Sequence, residues 1–107
     1  MKHEEKQFEN QVKKYLKEQG CYLIKYWSGN AQNGKKYTKD GVPDLIVCCN
    51  GYFLGIELKS EDGKPSELQK WNLEQIRNAG GIGIVLYPHQ FEEFKDFVEN
   101  KLIRRIY

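Results

Sequence analysis

Apolar and polar positions follow two periods along this chain, and the switches between them mark its elements. Phe8, Val12, Tyr15 and Leu16 recur at helical spacing and predict an amphipathic helix over residues 4–19. Glu4 and Glu5 open it and Lys13, Lys14 and Lys17 follow, an order that suits the helix dipole. Gly20 is placed to end it. Residues 21–27, Cys-Tyr-Leu-Ile-Lys-Tyr-Trp, predict a strand whose aromatics serve sheet packing rather than base stacking. Further on, Leu68, Trp71, Ile76 and Ala79 predict the buried stripe of a helix from about residue 66 to 78. Ser66 and Gln69 form its capping box, and Gly80-Gly81 ends it. Residues 82–87 are uninterrupted and apolar, which suits a strand buried on both faces. Residues 90–101 predict a last helix with Phe91, Phe94, Phe97 and Val98 inward, and the tail from Leu102 to Tyr107 predicts an edge strand.

Residues 42–59 carry the sharpest local signal. Two apolar runs flank Asn50-Gly51, a pair suited to a type I′ turn because both central residues need positive φ. A two-residue turn sets the register: Cys49 faces Tyr52, and counting outward Asp44 faces Glu57. Lys59 shares the face of Glu57, two residues on. Directly opposed Cβ atoms lie about 4.5–5.5 Å apart, and like charges there are unfavourable. Two acids and a lysine at the open end of an apolar hairpin can be a solvated surface cluster. They can also be a site for a divalent cation, since Mg²⁺ prefers carboxylate oxygens. The strand context favours the cation site.

The order is α-β-β-β-α-β-α, an α/β chain with a mixed sheet. The first three strands form a meander, and the fourth, after its crossover helix, lies parallel to one of them. Between strand and hairpin, residues 28–41 form a long polar, glycine-rich stretch. Loops of that length are uncommon in compact domains and often functional. Lys35, Lys36 and Lys39 with Tyr37 suit contact with a phosphate backbone, though such lysines can serve solubility alone.

Composition narrows the picture. A chain of 107 residues with 30% charged and 39% hydrophobic positions reads as one folded domain, residues 1–107. Net charge is only +2, so any basic surface must come from arrangement. Cys21, Cys48 and Cys49 lack metal-ligand spacing and lie in apolar runs. They are expected to be buried free thiols in a reducing, intracellular compartment. His3 and His89 are far apart in sequence and do not pair with cysteines, which argues against zinc. No apolar run approaches the ~18 residues of a membrane span, so no membrane partner is expected.

Pro43-Asp44 followed by Glu57-Leu58-Lys59 resembles the PD-(D/E)xK nuclease superfamily. Gly41-Val42-Pro43-Asp44-Leu45 with Ile56-Glu57-Leu58-Lys59 is similar to its VRR-NUC branch, and that branch to the archaeal Holliday-junction resolvases. Phe8-Glu9, Val12, Leu16 and Gly20 resemble the first helix of the resolvases. The resemblance implies a restriction-endonuclease-like core and a DNA endonuclease dependent on Mg²⁺ or Mn²⁺, acting on branched DNA. It implies Glu9, Asp44 and Glu57 as metal ligands, with the Leu58 carbonyl beside them and Lys59 at the attacking water. Glu5, one turn before Glu9, competes for its role, and Glu9 taken by itself reads as a solvated helix acid, a reading that the resemblance reverses. Gln69 keeps two readings, a helix cap and a side chain pointing to the site. Ser28 resembles a loop serine that assists cleavage. The rival function is a non-catalytic nucleic-acid-binding module, against which the joint presence of Glu9, Asp44, Glu57 and Lys59 argues. The apolar residues of the last helix and tail exceed a narrow stripe. With the resemblance, they lead to the expectation of a symmetric homodimer rather than a monomer.

Overall fold

The computed structural model describes residues 3–24 and 41–102. Helix α1 (His3–Glu18) is followed by strands β1 (Tyr22–Ile24), β2 (Leu45–Cys49) and β3 (Tyr52–Leu58). Helix α2 (Glu67–Asn78), strand β4 (Ile82–Leu86), a single 3₁₀ turn (Pro88–Gln90) and helix α3 (Phe91–Asn100) complete the order. One four-stranded sheet runs β1-β2-β3-β4. The first two pairings are antiparallel and β3–β4 is parallel, as the meander with a crossover helix predicts.

Local chemistry explains the boundaries. Gly20 has φ 80°, and the Gly20 and Cys21 amides donate to the Lys17 and Leu16 carbonyls at 3.0 Å. This is the paired closure that a glycine permits at a helix end. The same device closes α2: Gly80 has φ 94°, its amide donates to Arg77 at 3.0 Å, and the Gly81 amide donates to Ile76 at 2.9 Å. At the hairpin, Asn50 and Gly51 have φ 53° and 88°, both positive as a type I′ turn requires. The register follows, with Cys49 opposite Tyr52 and Leu45 opposite Ile56.

Strand alternation sorts the sheet into two faces. Leu45, Val47, Cys49, Leu54, Ile56, Leu58 and Leu86 face α1 and α3, where Phe8, Val12, Tyr15, Leu16, Phe94 and Val98 complete the core. The Phe91 ring meets Phe8 edge-on at 5.7 Å, and the Tyr15 hydroxyl donates to Glu99 Oε2 at 2.6 Å. Helix α2 lies on the opposite face, close enough that a Cβ on Gly83 would stand 2.6 Å from the Leu73 carbonyl oxygen.

Several expectations need correction. On α2, Leu68 and Trp71 are 47% and 52% exposed and Ala79 is exposed, whereas Asn72 and Leu73 are buried. The helix meets the sheet by backbone approach over Gly83, with Ile76 packed at Gly55 and Gly81. That contact selects a narrow face around Leu73, not the bulkiest apolar residues. On β4, Ile82, Ile84 and Val85 are half-buried, because the strand is the last in the sheet order among the described residues. Cys21 and Cys49 are joined as a disulfide and Cys48 is an exposed thiol, in place of three buried thiols. Tyr22 pairs with Cys48, so Cys21 falls opposite Cys49, with Cα atoms 4.6 Å apart, and alternation turns Cys48 outward. The α3 surplus is absorbed as well: Phe94, Val98 and Leu102 are buried, and Phe91 and Phe97 pack against the core. Among the described residues, the large exposed apolar side chains are Tyr22, Ile24, Phe53, Leu68 and Trp71. The strand end at residues 25–27 and the tail from 103 onward lie outside the described residues.

Candidate active site

The hairpin register brings Asp44 and Glu57 together at its open end, one step beyond the Leu45–Ile56 pair. Asp44 stands just ahead of β2, where its Oδ2 accepts the Leu58 amide at 2.8 Å. Glu57 lies near the end of β3 and is 2% exposed. Lys59 follows on the same face, its Nζ 3.5 Å from Glu57 Oε2. Among the described residues, no group donates to the other carboxylate oxygen, the buried Glu57 Oε1. Buried polar atoms in folded proteins are nearly always satisfied, so this one stands out.

The electrostatics follow from that crowding. Burial first, then the neighbouring Asp44 charge, pushes Glu57 up to about 7, and Lys59 offsets only part of the rise. Burial also raises Asp44, against the opposing pull of the Leu58 amide, the Glu57 carboxyl and Lys59. Without a cation, therefore, Glu57 retains its proton well above the ordinary carboxylate range. Removing that proton places two anions side by side away from water, an arrangement that a divalent cation relieves. The orphaned Oε1, the paired acids and the oxygen donor chemistry all fit a hard divalent metal.

Glu9 reaches this region from α1. It borders the Phe8, Val12 and Leu16 stripe and is 7% exposed. Burial pushes its carboxyl up, but hydrogen bonds and charge from Lys13 and then Lys6 outweigh that and hold it below the usual range. Its charge in turn raises Asp44. Glu5, the competing acid, is half-buried. Among the described residues no three histidine, cysteine or acidic side chains are grouped closely enough to hold a metal as they stand. The structure thus brings together Asp44, Glu57 and Lys59, and holds Glu9 nearby against two lysines.

The other expected residues divide. Gln69 forms the predicted capping box: its Oε1 accepts the Ser66 amide at 2.8 Å and its own amide donates to Ser66 Oγ at 3.1 Å. Leu58 supplies its amide to Asp44. Ser28, Lys35, Lys36 and Lys39 lie outside the described residues. Sequence reasoning missed the pairing of Glu9 with Lys6 and Lys13, although i,i+3 and i,i+4 spacings signal it. It also missed Tyr87, Glu61 and His89, which close the loop after Lys59 through contacts that no spacing announces.

Comparison with known proteins agrees with this geometry. A family described as archaeal Holliday junction resolvase (hjc) matches residues 1–101. A solved structure described as "VRR_NUC domain" is 27% identical, with a TM-score of 0.55, over 85% of this chain and 94% of that one. No curated protein matches the chain. The match spans α1, the whole sheet and α3, and so includes every acid of the site. The chain belongs to the archaeal Holliday junction resolvase family, with a nuclease fold of the VRR-NUC kind.

Proposed function

We propose that this chain is a divalent-metal-dependent endonuclease that hydrolyses phosphodiester bonds in branched DNA. The observation that carries the proposal is half-buried Asp44 beside buried Glu57, with no described group donating to Glu57 Oε1 and Lys59 alongside. Asp44 and Glu57, the Leu58 carbonyl and, once released from its lysines, Glu9 would hold Mg²⁺ or Mn²⁺. Such an ion, when bound, lowers the pKa of a water and offsets charge on the phosphate. Glu57 must give up its proton to bind it. Lys59 orients the attacking water and offsets the charge that develops on the phosphate. Gln69 caps the first turn of α2 and, in this reading, would also turn toward the site. Ser28, Lys35, Lys36 and Lys39 would meet the DNA backbone.

Two cuts in a four-way junction require two sites, so the proposal includes a homodimer. The exposed apolar residues on the α2 side, rather than α3, are the place to look for its interface. DNA as substrate implies an intracellular setting, and no described helix is long and apolar enough to cross a membrane. The test is a cleavage panel of four-way junction, flap, single strand and duplex with Mg²⁺, Mn²⁺ or chelator, run beside light scattering. Metal-dependent cutting of the junction above duplex supports the proposal. Binding of junction without cutting under every metal condition refutes the enzymatic part and leaves a nucleic-acid-binding module.

A further inference from the structure

Lys59 is the first residue past β3, and its amide donates to the Leu86 carbonyl at 3.1 Å. The parallel pairing of Glu57 with Val85 and Leu58 with Leu86 therefore runs on by one step, which sets Lys59 beside Tyr87. Side chains alternate across a sheet, so Tyr87 shares the face of Glu57 and Lys59. The chain then turns back over residues 60–63, closed by the Gly63 amide donating to Ser60 at 2.9 Å. Gly63 comes to rest against the lysine: a Cβ built on it would stand 3.4 Å from both Cβ and Cδ of Lys59.

Two contacts from beyond β4 hold this turn. The Tyr87 hydroxyl donates to the Gly63 carbonyl at 2.9 Å. Glu61 Oε1 accepts the His89 amide at 2.8 Å, and its Oε2 meets the His89 ring. The Tyr87 and His89 rings stack with centroids 5.8 Å apart, which ties the two contacts into one clasp.

We propose that Tyr87 is a positioning residue for Lys59. Its hydroxyl, with the Glu61–His89 contact behind it, pins the 60–63 turn over the lysine's aliphatic stem and fixes where the ammonium sits beside Glu57. The inference rests on the nuclease reading above, in which Lys59 acts at the attacked phosphate. A lysine stem has four rotatable bonds and loses much rotamer entropy when held. The Gly63 wall imposes that order before substrate arrives, and the Lys59 side chain is accordingly only 18% exposed. A charge fixed in advance where a transition state needs it raises turnover rather than binding.

Tyr87→Phe removes the hydroxyl and keeps the ring. With Mg²⁺ and a junction substrate, kcat should fall about 3- to 10-fold, with KM and Mg²⁺ affinity unchanged, the scale of one lost hydrogen bond. In the metal-free protein, Gly63 amide exchange and acetylation of Lys59 by a soluble amine-reactive reagent should both accelerate, while amides of β2 stay protected. Gly63→Val should lower kcat in the same way with the Tyr87 hydroxyl still present, because its side chain displaces the lysine stem. Wild-type kcat or unchanged Lys59 acetylation in Tyr87→Phe overturns the proposal, as does a loss of kcat matched by a loss of Mg²⁺ affinity. A native chain that cuts none of the substrates overturns the nuclease reading instead, and acetylation of Lys59 then decides the positioning on its own.

Discussion

Glu57 and Asp44 share the open end of one hairpin, and the Leu58 amide that follows Glu57 donates to Asp44 Oδ2 at 2.8 Å. The backbone of one strand thus orients the acid of the other. Glu57 is buried with one oxygen 3.5 Å from Lys59, and no described group donates to the second.

Stability of the metal-free protein should fall as pH rises between about 5 and 8. Glu57 is raised from 4.5 to about 7, so the folded state holds a proton that the unfolded state has released across this window. Stability falls with pH wherever the folded state binds more protons. Asp44 is also raised and acts in the same direction. Glu9 is lowered and acts in the opposite sense, but only in acid, where stability is lost as the pH drops below its ordinary value. Thermal melts in chelator at pH 5.5 and 8 check this. Glu57→Gln should flatten the trend, and a native protein more stable at pH 8 would contradict it.

Metal binding should release protons near neutral pH, because Glu57 must ionise to become a ligand. Calorimetry of Mg²⁺ or Mn²⁺ binding in buffers of different ionisation enthalpy measures the number released. It should shrink from pH 6 to pH 8. A count that does not change with pH would remove Glu57 from the ligand set.

Asp44→Asn and Glu57→Gln should stay folded, be as stable as the native chain or more so without metal, and lose junction cleavage. Each removes one of two crowded carboxyl groups, and with it their mutual repulsion when both ionise, while keeping shape. Native cleavage rates in either variant would defeat the assignment.

Lys13→Ala should strengthen metal binding in the absence of DNA. Lys13 and Lys6 hold Glu9 as an ion pair, and removing the stronger partner frees that carboxylate for a cation. The stability cost should be no more than about 1 kcal/mol, since Lys13 is 35% exposed and solvent screens the pair. Calorimetry beside a denaturant melt separates the two effects. Weaker metal affinity in this variant would show that the lysine supports the site instead of competing for Glu9.

Gly83→Ala should destabilise the fold by about 1–3 kcal/mol, the usual range for forcing bulk into a packed contact. The added Cβ would stand 2.6 Å from the Leu73 carbonyl oxygen, and backbone cannot yield as a side-chain tip can. A denaturant midpoint equal to that of the native protein would show that α2 rides more loosely on the sheet.

What the sequence determined by itself was governed by short-range physics. Helix periodicity in α1, the capping box at Ser66, the helix-ending glycines and the Asn50-Gly51 turn each depend on residues within a few positions of one another. Because side chains alternate strictly along paired strands, that turn carried its register outward to Asp44 and Glu57, and half of the candidate site was legible from it. Tertiary structure decided whatever required distant parts to meet. Which side of α2 is buried depended on close approach to Gly83, so Leu68 and Trp71 ended exposed despite their size. Cys21 met Cys49 only once β1 had paired with β2. The raised Glu57 needed burial by the whole fold, and the hold of Tyr87 on the Gly63 turn spans 24 residues. Local pattern encodes direction and register, whereas burial and long-range partners arise only from the packing of complete elements against one another.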